Sequence, residues 1–459
     1  MPQSPDQFLE QAAQAYQRGA LAEAETLCRQ AAAAAPRNFR AWYMLAVFCH
    51  LQRRGPQTLA AAEAALKLDP ASADALNLKG AALRVLGRPE EALACFTAGL
   101  RLQPGNAEMW LNRSSVLGDL GRSQEALASV EETLRLKPDH VEAWNNRAAA
   151  LRDLKRPEEA LESCKRALAL RPDYVAALRN MAALLCESFQ VEEGMAVYVR
   201  QARLSSAAPK DGDMLPHQKR HDAEQRDYLA QRGIHAAFHL EEGARLKTPA
   251  INPGNAVSIA AQWKDSRPQI VVIDDLLSPQ ALAGLQRFCR ESTVWRKAYT
   301  DGYLGATPET GFACPLLAQI ADELRGVFPT IFAVHPLRYL WGFKYDSSLS
   351  GIDVHADFAA INVNFWITPD TANNDPQSGG LMLWDVAAPK HWDVVKYNRD
   401  AKANREFLEQ AGARPITIPY RANRAVIFDS DLFHKTDRIS FKPGYLNRRI
   451  NVTMLYGDR

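Results

Sequence analysis

The sequence predicts a multidomain α+β protein in which an α-helical solenoid is followed by a domain of antiparallel β-strands. Three observations support this. Prolines recur at a constant interval, at positions 36, 70, 104, 138 and 172. Isoleucine is absent before position 234 and occurs fifteen times from Ile234 onward, which concentrates strand-forming residues in the second half. Short β-branched or aromatic segments separated by turn residues also occur only there.

The length and charge exclude several classes of protein. The 459 residues suffice for two or three domains of about 100 to 200 residues each. The chain has 55 basic and 53 acidic residues and no long basic tract, so we expect neither a nucleic-acid nor a membrane partner. The beginning, MPQSPDQFLEQ, lacks the charged and apolar regions of a secretory signal, and we expect a cytoplasmic protein. Seven cysteines form no CxxC pair, so we expect free thiols.

The 34-residue interval extends to positions around each proline. Small residues lie five or twelve positions before it, and large apolar residues lie six positions after it, at Trp42, Leu76, Trp110, Trp144 and Leu178. Small residues where two helices cross, a bulky residue beside them and a proline that ends the second helix are what a two-helix repeat requires. The segment 5–206 therefore resembles a tetratricopeptide repeat array, with five proline-anchored repeats and a degraded sixth over 173–206.

The composition changes after the repeats. Residues 207–265 read as a linker, with the turn-rich segment SSAAPKDGD at its start and a polar helix over 217–233. The domain at 266–459 contains two predicted helices, over 279–291 and 315–328, and seven predicted strands. The strands are QIVVIDD, PLRYLWGFKY, AINVNFWIT, GGLMLWD, PITIPY, AVIFDS and RRINVTMLYG. This order favours a domain built on an antiparallel double sheet.

The β-rich domain contains a candidate metal site. His355 and Asp357 are two residues apart where we expect a strand to end, so an imidazole and a carboxylate can bind one ion. A second histidine, His434, lies on a late strand. Two histidines and one carboxylate on one face of an octahedron leave three positions open, which is the arrangement used for non-haem Fe(II) with O2 and an exchangeable co-substrate.

Two other pairs have similar spacing. His391 and Asp393 follow a proline in a long connection between strands and are the less favoured metal pair. His140 and Glu142 follow Pro138 in the repeats, where we expect an exposed surface. The metal site is therefore predicted at His355, Asp357 and His434.

The last strand supplies a candidate anion site. Arg449, Asn451 and Thr453 alternate on one face of this strand, while the apolar residues between them take the other face. A guanidinium that faces a barrel interior needs an anionic partner. A dicarboxylate would meet this need, with its far carboxylate on Arg449 and Thr453 and its 2-oxo acid end on the metal. The alternative is an internal salt bridge from Arg449 to Asp429 or Asp431.

These motifs occur in a recognisable order: HxD, a strand, a strand that begins with Gly379 and Gly380, then His434, then Arg449 and Thr453. The order resembles the Fe(II)/2-oxoglutarate-dependent oxygenases, near their prolyl-hydroxylase-like branch, over about residues 268–458. The resemblance implies a double-stranded β-helix (jelly-roll) fold and the use of Fe(II), 2-oxoglutarate and O2.

The same resemblance implies roles for individual residues. It places Arg449 and Thr453 at the 2-oxoglutarate site, together with Tyr345. The interval between His434 and Arg449 is longer than is usual for this branch, which leaves Arg448 as an alternative for the arginine. The alternation of the strand favours Arg449.

The repeats suggest how a substrate is held. Asn112, Asn146 and Asn180 share one repeat position, which faces the concave groove in tetratricopeptide arrays. An amide both donates and accepts hydrogen bonds and can pair with a peptide backbone. The three residues resemble the asparagine ladder of tetratricopeptide O-linked N-acetylglucosamine transferases; the alternative is that asparagine is merely tolerated on an exposed face.

The leading hypothesis is therefore an oxygenase that hydroxylates a peptide or protein bound in the groove. Two alternatives remain. One is a small-molecule oxygenase whose repeats dock a partner. The other is a non-catalytic tetratricopeptide scaffold.

Overall fold

The chain divides into two compact units, Met1–Ala177 and Leu178–Arg459. The computed structural model describes residues 4–205, 214–254, 256–349 and 351–459. All but the first residue of the predicted linker segment SSAAPKDGD lies outside the described residues.

The first unit consists of helices of similar length joined by short turns, as the 34-residue interval predicts. They are α1 (Pro5–Gln17), α2 (Leu21–Ala34), α3 (Phe39–Leu51), α4 (Gly55–Leu68), α5 (Ala73–Val85), α6 (Pro89–Leu102), α7 (Ala107–Asp119), α8 (Ser123–Leu136), α9 (Val141–Asp153) and α10 (Pro157–Leu170). Odd-numbered helices correspond to the first helix of each repeat and even-numbered helices to the second. The helical solenoid predicted for the N-terminal region is confirmed.

Two local hydrogen bonds explain the spacing around the prolines. The indole Nε1 of Trp110 donates to the carbonyl oxygen of Pro104 at 2.8 Å, and Trp144 does the same to Pro138 at 2.8 Å. The residue two positions after the proline caps the next helix, since the side chain of Asn106 accepts from the backbone N–H of Met109. Each proline turn therefore ends one helix and begins the next.

Close approach of the helices requires the small residues. Phe96 is fully buried, and a Cβ at Gly80 would lie 2.6 Å from its ring. Phe96 shares its repeat position with Cys28, Val130 and Cys164, which are also fully buried. The absence of a side chain at Gly80 therefore makes room for the large ring of Phe96 in the repeat core.

The first helix of each repeat ends in a left-handed residue. This position recurs once in every repeat and is occupied by Gly19, Arg53, Gly87, Gly121, Lys155 and Phe189, all with positive φ. Glycine adopts this conformation without a steric penalty, whereas Arg53, at φ 58°, places a Cβ against the backbone. Three of these turns therefore store strain that glycine would relieve.

The second unit combines helices with strands. The helices are α11 (Val175–Glu187), which begins in the first unit, α12 (Val191–Leu204), α13 (Pro216–Ala230), α14 (Ala256–Asp265), α15 (Pro279–Glu291), α16 (Pro315–Val327), α17 (Pro329–Phe332), α18 (Val394–Arg399) and α19 (Ala401–Gln410). The strands are β1 (Ile270–Ile273), β2 (Lys297–Ala298), β3 (Tyr303–Ala306), β4 (Leu337–Tyr345), β5 (Ser348–Leu349), β6 (Ile361–Trp366), β7 (Leu381–Ala387), β8 (Pro415–Ile418), β9 (Ala425–Asp429), β10 (Leu432–Thr436), β11 (Ile439–Ser440) and β12 (Ile450–Tyr456).

The strands pair antiparallel in three sheets. The largest has seven strands in the order β1-β9-β6-β12-β4-β3-β2, a second has the order β10-β7-β8, and a third pairs β11 with β5. The predicted antiparallel strands are therefore present. Their assignment to a double-stranded β-helix stays a prediction.

The seven-stranded sheet separates two cores. On one face, alternate residues of β12 pack with helices α14 to α17; these are Ile450, Val452 and Met454. The other face carries Trp366 and Phe428, which pack with β7, β8 and β10. This side holds the candidate site, because the polar residues of β12 point to it.

None of the helices in the described part of the chain is long and apolar enough to cross a membrane.

Replacement of Arg53 by glycine is expected to stabilise the first unit. The variant removes the Cβ from a left-handed position, and we expect the free energy of unfolding to rise by about 1 kcal/mol. Urea unfolding followed by circular dichroism measures this change.

The matched control is Ala60→Gly, at an exposed site within α4. There glycine is expected to lower the free energy of unfolding by about 1 kcal/mol. Equal shifts of the same sign in the two variants would contradict the strain assigned to Arg53.

Candidate metal centre

Three side chains converge on one point between the sheets. The ligand atoms of His355, Asp357 and His434 all lie within 4.8 Å of one another. His355 Nε2 is 3.8 Å from Asp357 Oδ1, and His434 Nε2 is 3.5 Å from Asp357 Oδ2. Among the residues that the structure describes, this is the one group of three such side chains close enough to hold an ion.

Main-chain pairing holds the two histidines together. His434 lies on β10, which is a separate strand from β9, and it forms an antiparallel bridge with His355. We expected His355 and Asp357 at the end of a strand. The structure corrects this, since they lie in the segment that precedes β6, where a bridge to β10 positions His355 and a hydrogen bond from the Asp357 N–H to the Ser430 carbonyl oxygen positions Asp357.

Each imidazole is fixed by its other nitrogen. Nδ1 of His355 lies 2.7 Å from the carbonyl oxygen of Asp353, and Nδ1 of His434 lies 3.0 Å from that of Leu432. Because a carbonyl only accepts, both Nδ1 atoms carry the proton. In a neutral ring Nε2 then carries the lone pair, which is the tautomer that binds a metal.

The pKa shifts of His355 and Asp357 also suit a cation. Burial, followed by the neighbouring His434 ring, lowers the pKa of His355 below its ordinary value. Burial alone would raise the pKa of Asp357, but a hydrogen bond from a protonated His434 and its charge, with smaller effects of His355 and Asn398, bring it below its ordinary value. A neutral His355 imidazole and an ionised Asp357 carboxylate are the forms that bind divalent metals.

The two other His-acid pairs have different surroundings. The side chain of Asp393 caps α18 by accepting from the N–H of Lys396, and His391 is exposed. His140 belongs to the repeats, and its Nδ1 lies 3.3 Å from Oε2 of Glu142. Among the described residues, neither pair belongs to a group of three potential ligands close enough together to hold one ion.

Arg449 lies in the same cavity as the three metal-ligand candidates. Its guanidinium is 1% exposed and donates to the carbonyl oxygens of Gly379 at 2.6 Å and Gly380 at 3.3 Å. The ring of Tyr345 lies 4.8 Å from it. Its remaining nitrogen, Nη1, is buried without a hydrogen-bond partner, so the site has an unmatched cationic donor.

The two glycines that precede β7 explain how the guanidinium is held. A Cβ at Gly380 would lie 1.9 Å from the carbonyl oxygen of Ile418, so a side chain there would separate β7 from β8. Gly379 has a φ of 81°, which is left-handed. Glycine at both positions lets the main chain turn its carbonyls toward Arg449.

Arg448 and Arg449 have different partners. Arg448 donates to Glu224 at 2.9 and 3.0 Å and lies 3.4 Å from Asp346, outside the cavity. Arg449 forms no ion pair with a carboxylate among the described residues. Burial lowers its pKa below the ordinary value, and nearby tyrosines oppose this shift.

The alternative salt bridge from Arg449 to Asp429 or Asp431 is not formed. Asp431 pairs with Lys390 and Arg459, and Asp429 accepts from the backbone N–H of Asp431 at 3.0 Å. The unpaired guanidinium therefore needs another anion.

The remaining predicted residues of the anion site lie beside Arg449. Thr453 and Tyr345 both line the cavity, and the hydroxyl of Tyr345 lies 3.4 Å from that of Thr436. The cavity between these side chains has a volume of about 50 Å³ and is open to solvent on one side.

Two asparagines on β6 also belong to the site and were not predicted from the sequence. Asn362 donates to Asp357 Oδ2 at 2.7 Å, and Asn364 accepts from Thr453 at 2.8 Å. Both are buried. The alternation of asparagine with apolar residues in INVNFW was the available signal, because a polar residue at every second position of a buried strand needs a polar interior.

The three asparagines assigned to the groove are half-buried. Asn112 donates to Asn77 Oδ1 at 3.0 Å, and Asn146 donates to the hydroxyl of Ser115 at 3.1 Å. Both bonds join the first helices of adjacent repeats. Asn180 lies on α11 in the second unit, so of the three only Asn112 and Asn146 belong to the same unit. Asn112 and Asn146 therefore have a structural role between repeats in addition to any role in binding a ligand.

Comparison with known proteins identifies the repeats. Family models for the tetratricopeptide repeat match residues 73–106 and 111–175, both in the first unit. The N-terminal region is therefore a tetratricopeptide repeat array, a module that generally mediates peptide or protein binding. No curated protein matches the chain.

Several solved structures are similar to part of this chain. MamA is 18% identical, with coverage of 38% of this chain and 94% of its own and a TM-score of 0.34. YrrB, a TPR protein with an unusual peptide-binding site, is 21% identical, with coverages of 37% and 88% and a TM-score of 0.33. A thermophilic TPR protein of Thermus thermophilus is 24% identical, with coverages of 40% and 99% and a TM-score of 0.34.

The protein is expected to bind one divalent cation at the three converging side chains. His355→Ala or His434→Ala should weaken Mn²⁺ binding by at least about 100-fold, since even residues that only orient metal ligands are worth about 10- to 100-fold. Isothermal titration measures the affinity.

His391→Ala is the matched control, because it removes an exposed histidine of the same domain. Its Mn²⁺ affinity should equal that of the unmodified protein. Comparable losses in all three variants, or none in any, would contradict the assignment of the site.

Proposed function

We propose that the protein is an Fe(II)- and 2-oxoglutarate-dependent oxygenase that hydroxylates a peptide or protein. The observation that carries the proposal is that one cavity contains both the two-histidine, one-carboxylate cluster and a buried guanidinium without an acidic partner. The first is a ligand set for Fe(II) with open positions. The buried guanidinium needs an anionic partner, which a carboxylate of the molecule that also binds the metal would supply.

The residues fit both groups. His355, Asp357 and His434 would hold Fe(II), which supplies O2 activation when bound. Arg449 would bind the far carboxylate of 2-oxoglutarate through its unpaired Nη1, and the hydroxyl groups of Tyr345 and Thr453 lie in the same cavity. The aromatic rings around the guanidinium exclude water and so strengthen its attraction for an anion.

The reaction balances without another reductant. One oxygen atom of O2 enters the carboxylate formed as 2-oxoglutarate loses CO2 and becomes succinate. The other oxygen atom is inserted into a C–H bond of the substrate, which becomes an alcohol. The protein's part is to hold the co-substrate, to keep the metal position dry and to orient the substrate C–H bond.

The repeats favour a macromolecular substrate. Tetratricopeptide repeats generally bind peptides or proteins, and Asn112 and Asn146 are half-buried polar residues at the expected groove position. The matched segments by themselves support an interaction scaffold better than an oxygenase, because both lie in the repeats. Succinate release from 2-oxoglutarate in the presence of Fe(II) and O2 distinguishes the two: a scaffold releases none.

Arg449→Met is expected to raise the 2-oxoglutarate concentration required for half-maximal turnover by at least about 30-fold. The reason is that removing one partner of a buried charge pair costs about 2 kcal/mol or more. Succinate release measures the requirement, and Mn²⁺ affinity should stay unchanged because Arg449 is not a metal ligand.

Arg448→Met is the control for this change. It removes a neighbouring arginine whose partners, Glu224 and Asp346, lie outside the cavity. If Arg448→Met rather than Arg449→Met raises the 2-oxoglutarate requirement, the arginine assignment is wrong by one residue.

The triple variant Asn112→Ala, Asn146→Ala and Asn180→Ala tests the groove. We expect it to keep the turnover of 2-oxoglutarate that occurs without substrate and to lose hydroxylation of a peptide library, because the residues proposed to hold the metal and 2-oxoglutarate are unaltered. Mass spectrometry of products heavier by one oxygen atom measures hydroxylation.

A second triple variant provides the control. Glu90, Gln124 and Glu158 also share one repeat position and are exposed on the second helices of the repeats. Their replacement by alanine should leave both activities unchanged. Unaltered hydroxylation in the asparagine variant would leave the repeats with a structural or partner-docking role.

A further inference from the structure

The connection between β7 and β8 lies against the segment that carries His355 and Asp357. It runs over 388–414 and contains α18 and α19. Residues 353–357, which the structure describes in full, form no strand apart from the bridge of His355 to β10. Several of their main-chain groups therefore need hydrogen-bond partners outside the sheets, and α18 and α19 supply them.

Main-chain groups of this segment are fastened to both helices. The backbone N–H of Ala356 donates to the carbonyl oxygen of Tyr397, on α18, at 2.9 Å. Asn404, on α19, is fully buried, and its Nδ2 donates to the carbonyl oxygens of Val354 at 3.1 Å and Tyr397 at 3.0 Å. Val354, Ala356 and Tyr397 also pack in one apolar cluster. The connection thus takes the place of a neighbouring strand along one side of the metal-binding segment.

One side chain of the connection reaches the metal-site carboxylate. Nδ2 of Asn398, on α18, donates to the carbonyl oxygen of Ala356 at 2.8 Å and to Asp357 Oδ1 at 3.3 Å. Both partners only accept hydrogen bonds, so the amide can face them only with its nitrogen, and its two hydrogens serve one partner each. The orientation of the Asn398 amide is therefore fixed by the segment that it holds.

The other oxygen of the carboxylate is held from the large sheet. Asn362 Nδ2, on β6, donates to Asp357 Oδ2 at 2.7 Å and begins a chain of buried amides that continues through Asn364 to Asn451. Asp357 is 4% exposed, and each of its oxygens accepts an amide hydrogen bond from a different element. Two amides that hold both oxygens fix the rotation of the carboxylate plane beside the two histidines.

We propose that Asn398 is a positioning residue of the metal site, which fixes the Asp357 carboxylate in the orientation that binds the ion. The inference rests on the metal site of the proposed function and not on its 2-oxoglutarate chemistry. It makes the α18–α19 connection part of the structure that holds the metal. Residues that orient metal ligands in this way contribute about 10- to 100-fold to metal affinity.

Metal affinity tests the role of Asn398 without turnover. Asn398→Ala removes the donor together with most of the side chain, whereas Asn398→Leu removes the donor and nearly keeps the size. We expect both variants to weaken Mn²⁺ binding to the full-length protein by about 10-fold or more, because the carboxylate is then held at one oxygen only. Isothermal titration measures the affinity, and thermal unfolding of the metal-free protein checks that the variants fold.

Arg405→Ala is the matched control. Arg405 is an exposed residue of α19 that forms an ion pair with Asp353, at the start of the same segment. Exposed ion pairs contribute little, so the Mn²⁺ affinity of this variant should equal that of the unmodified protein. Equal losses in Arg405→Ala and Asn398→Ala would show that any disturbance of the connection weakens the site, which contradicts a specific role of Asn398.

Hydrogen exchange supplies a readout that a merely structural residue would not change. If Asn398 strengthens metal binding through Asp357, the bound metal strengthens the contact of Asn398 by the same factor. Saturating Mn²⁺ should therefore slow amide exchange over 394–410 of the unmodified protein by about 10-fold. In Asn398→Leu most of this protection should be lost. Mass spectrometry of peptides from this region measures the exchange.

Unchanged Mn²⁺ affinity in the Asn398 variants, or protection that persists in full in Asn398→Leu, would overturn the proposal. If neither variant folds, the unmodified protein still decides, since absence of Mn²⁺-dependent protection over 394–410 refutes the coupling. Failure of the unmodified protein to bind Mn²⁺ refutes the metal site and this inference with it. The expected losses of affinity in a protein that releases no succinate would refute the oxygenase and support the role of Asn398.

Discussion

The position of β12 between β6 and β4 is the constraint on which the second unit depends. Its residues alternate between two environments, and this alternation divides the unit into an apolar core against the helices and a polar cavity on the other side. Met454 contacts the first and Thr453 lines the second, one residue apart. A shift of the register by one residue would exchange these faces and place the Arg449 side of the strand against the helices.

The polar side of the sheet is costly to bury, and the main chain offsets part of this cost. The carbonyls of Gly379 and Gly380 hold two nitrogens of Arg449, and the carbonyls of Asp353 and Leu432 hold the histidine rings. These contacts fix the geometry of the site before any ligand binds. The hydrogen-bonding capacity left unused, Arg449 Nη1 and Asn451 Oδ1, is one donor and one acceptor in one cavity. Such a cavity offers a ligand one hydrogen-bond donor and one acceptor.

The two units differ in the range of their contacts. In the first, each hydrogen bond that defines a repeat joins residues close in sequence, as between Trp144 and Pro138, six residues apart. In the second, the chain from Asp357 to Asn451 joins three elements, and its last link joins residues 87 apart in the sequence. Repeats fold from local contacts and tolerate substitution one repeat at a time. The cavity exists only when the sheet is complete.

Much of this protein could be read from its sequence because the relevant physics is local. The repeat length follows from helix length and turn chemistry, both encoded within a single repeat, and the choice of Arg449 over Arg448 as the residue facing the cavity follows from the two-residue period of a strand. The sequence also predicted that His355, Asp357 and His434 bind one ion, but the main-chain bridge between His355 and His434 and the amide chain beginning at Asp357 came only from the tertiary structure. The reason is that side-chain pairs across strands depend on register and on the bridge between distant segments, which residue types alone do not specify. Asn364 and Asn451 are ordinary polar residues in the sequence. Only their burial beside each other fixes which way each amide points and leaves Asn451 Oδ1 without a hydrogen-bond donor.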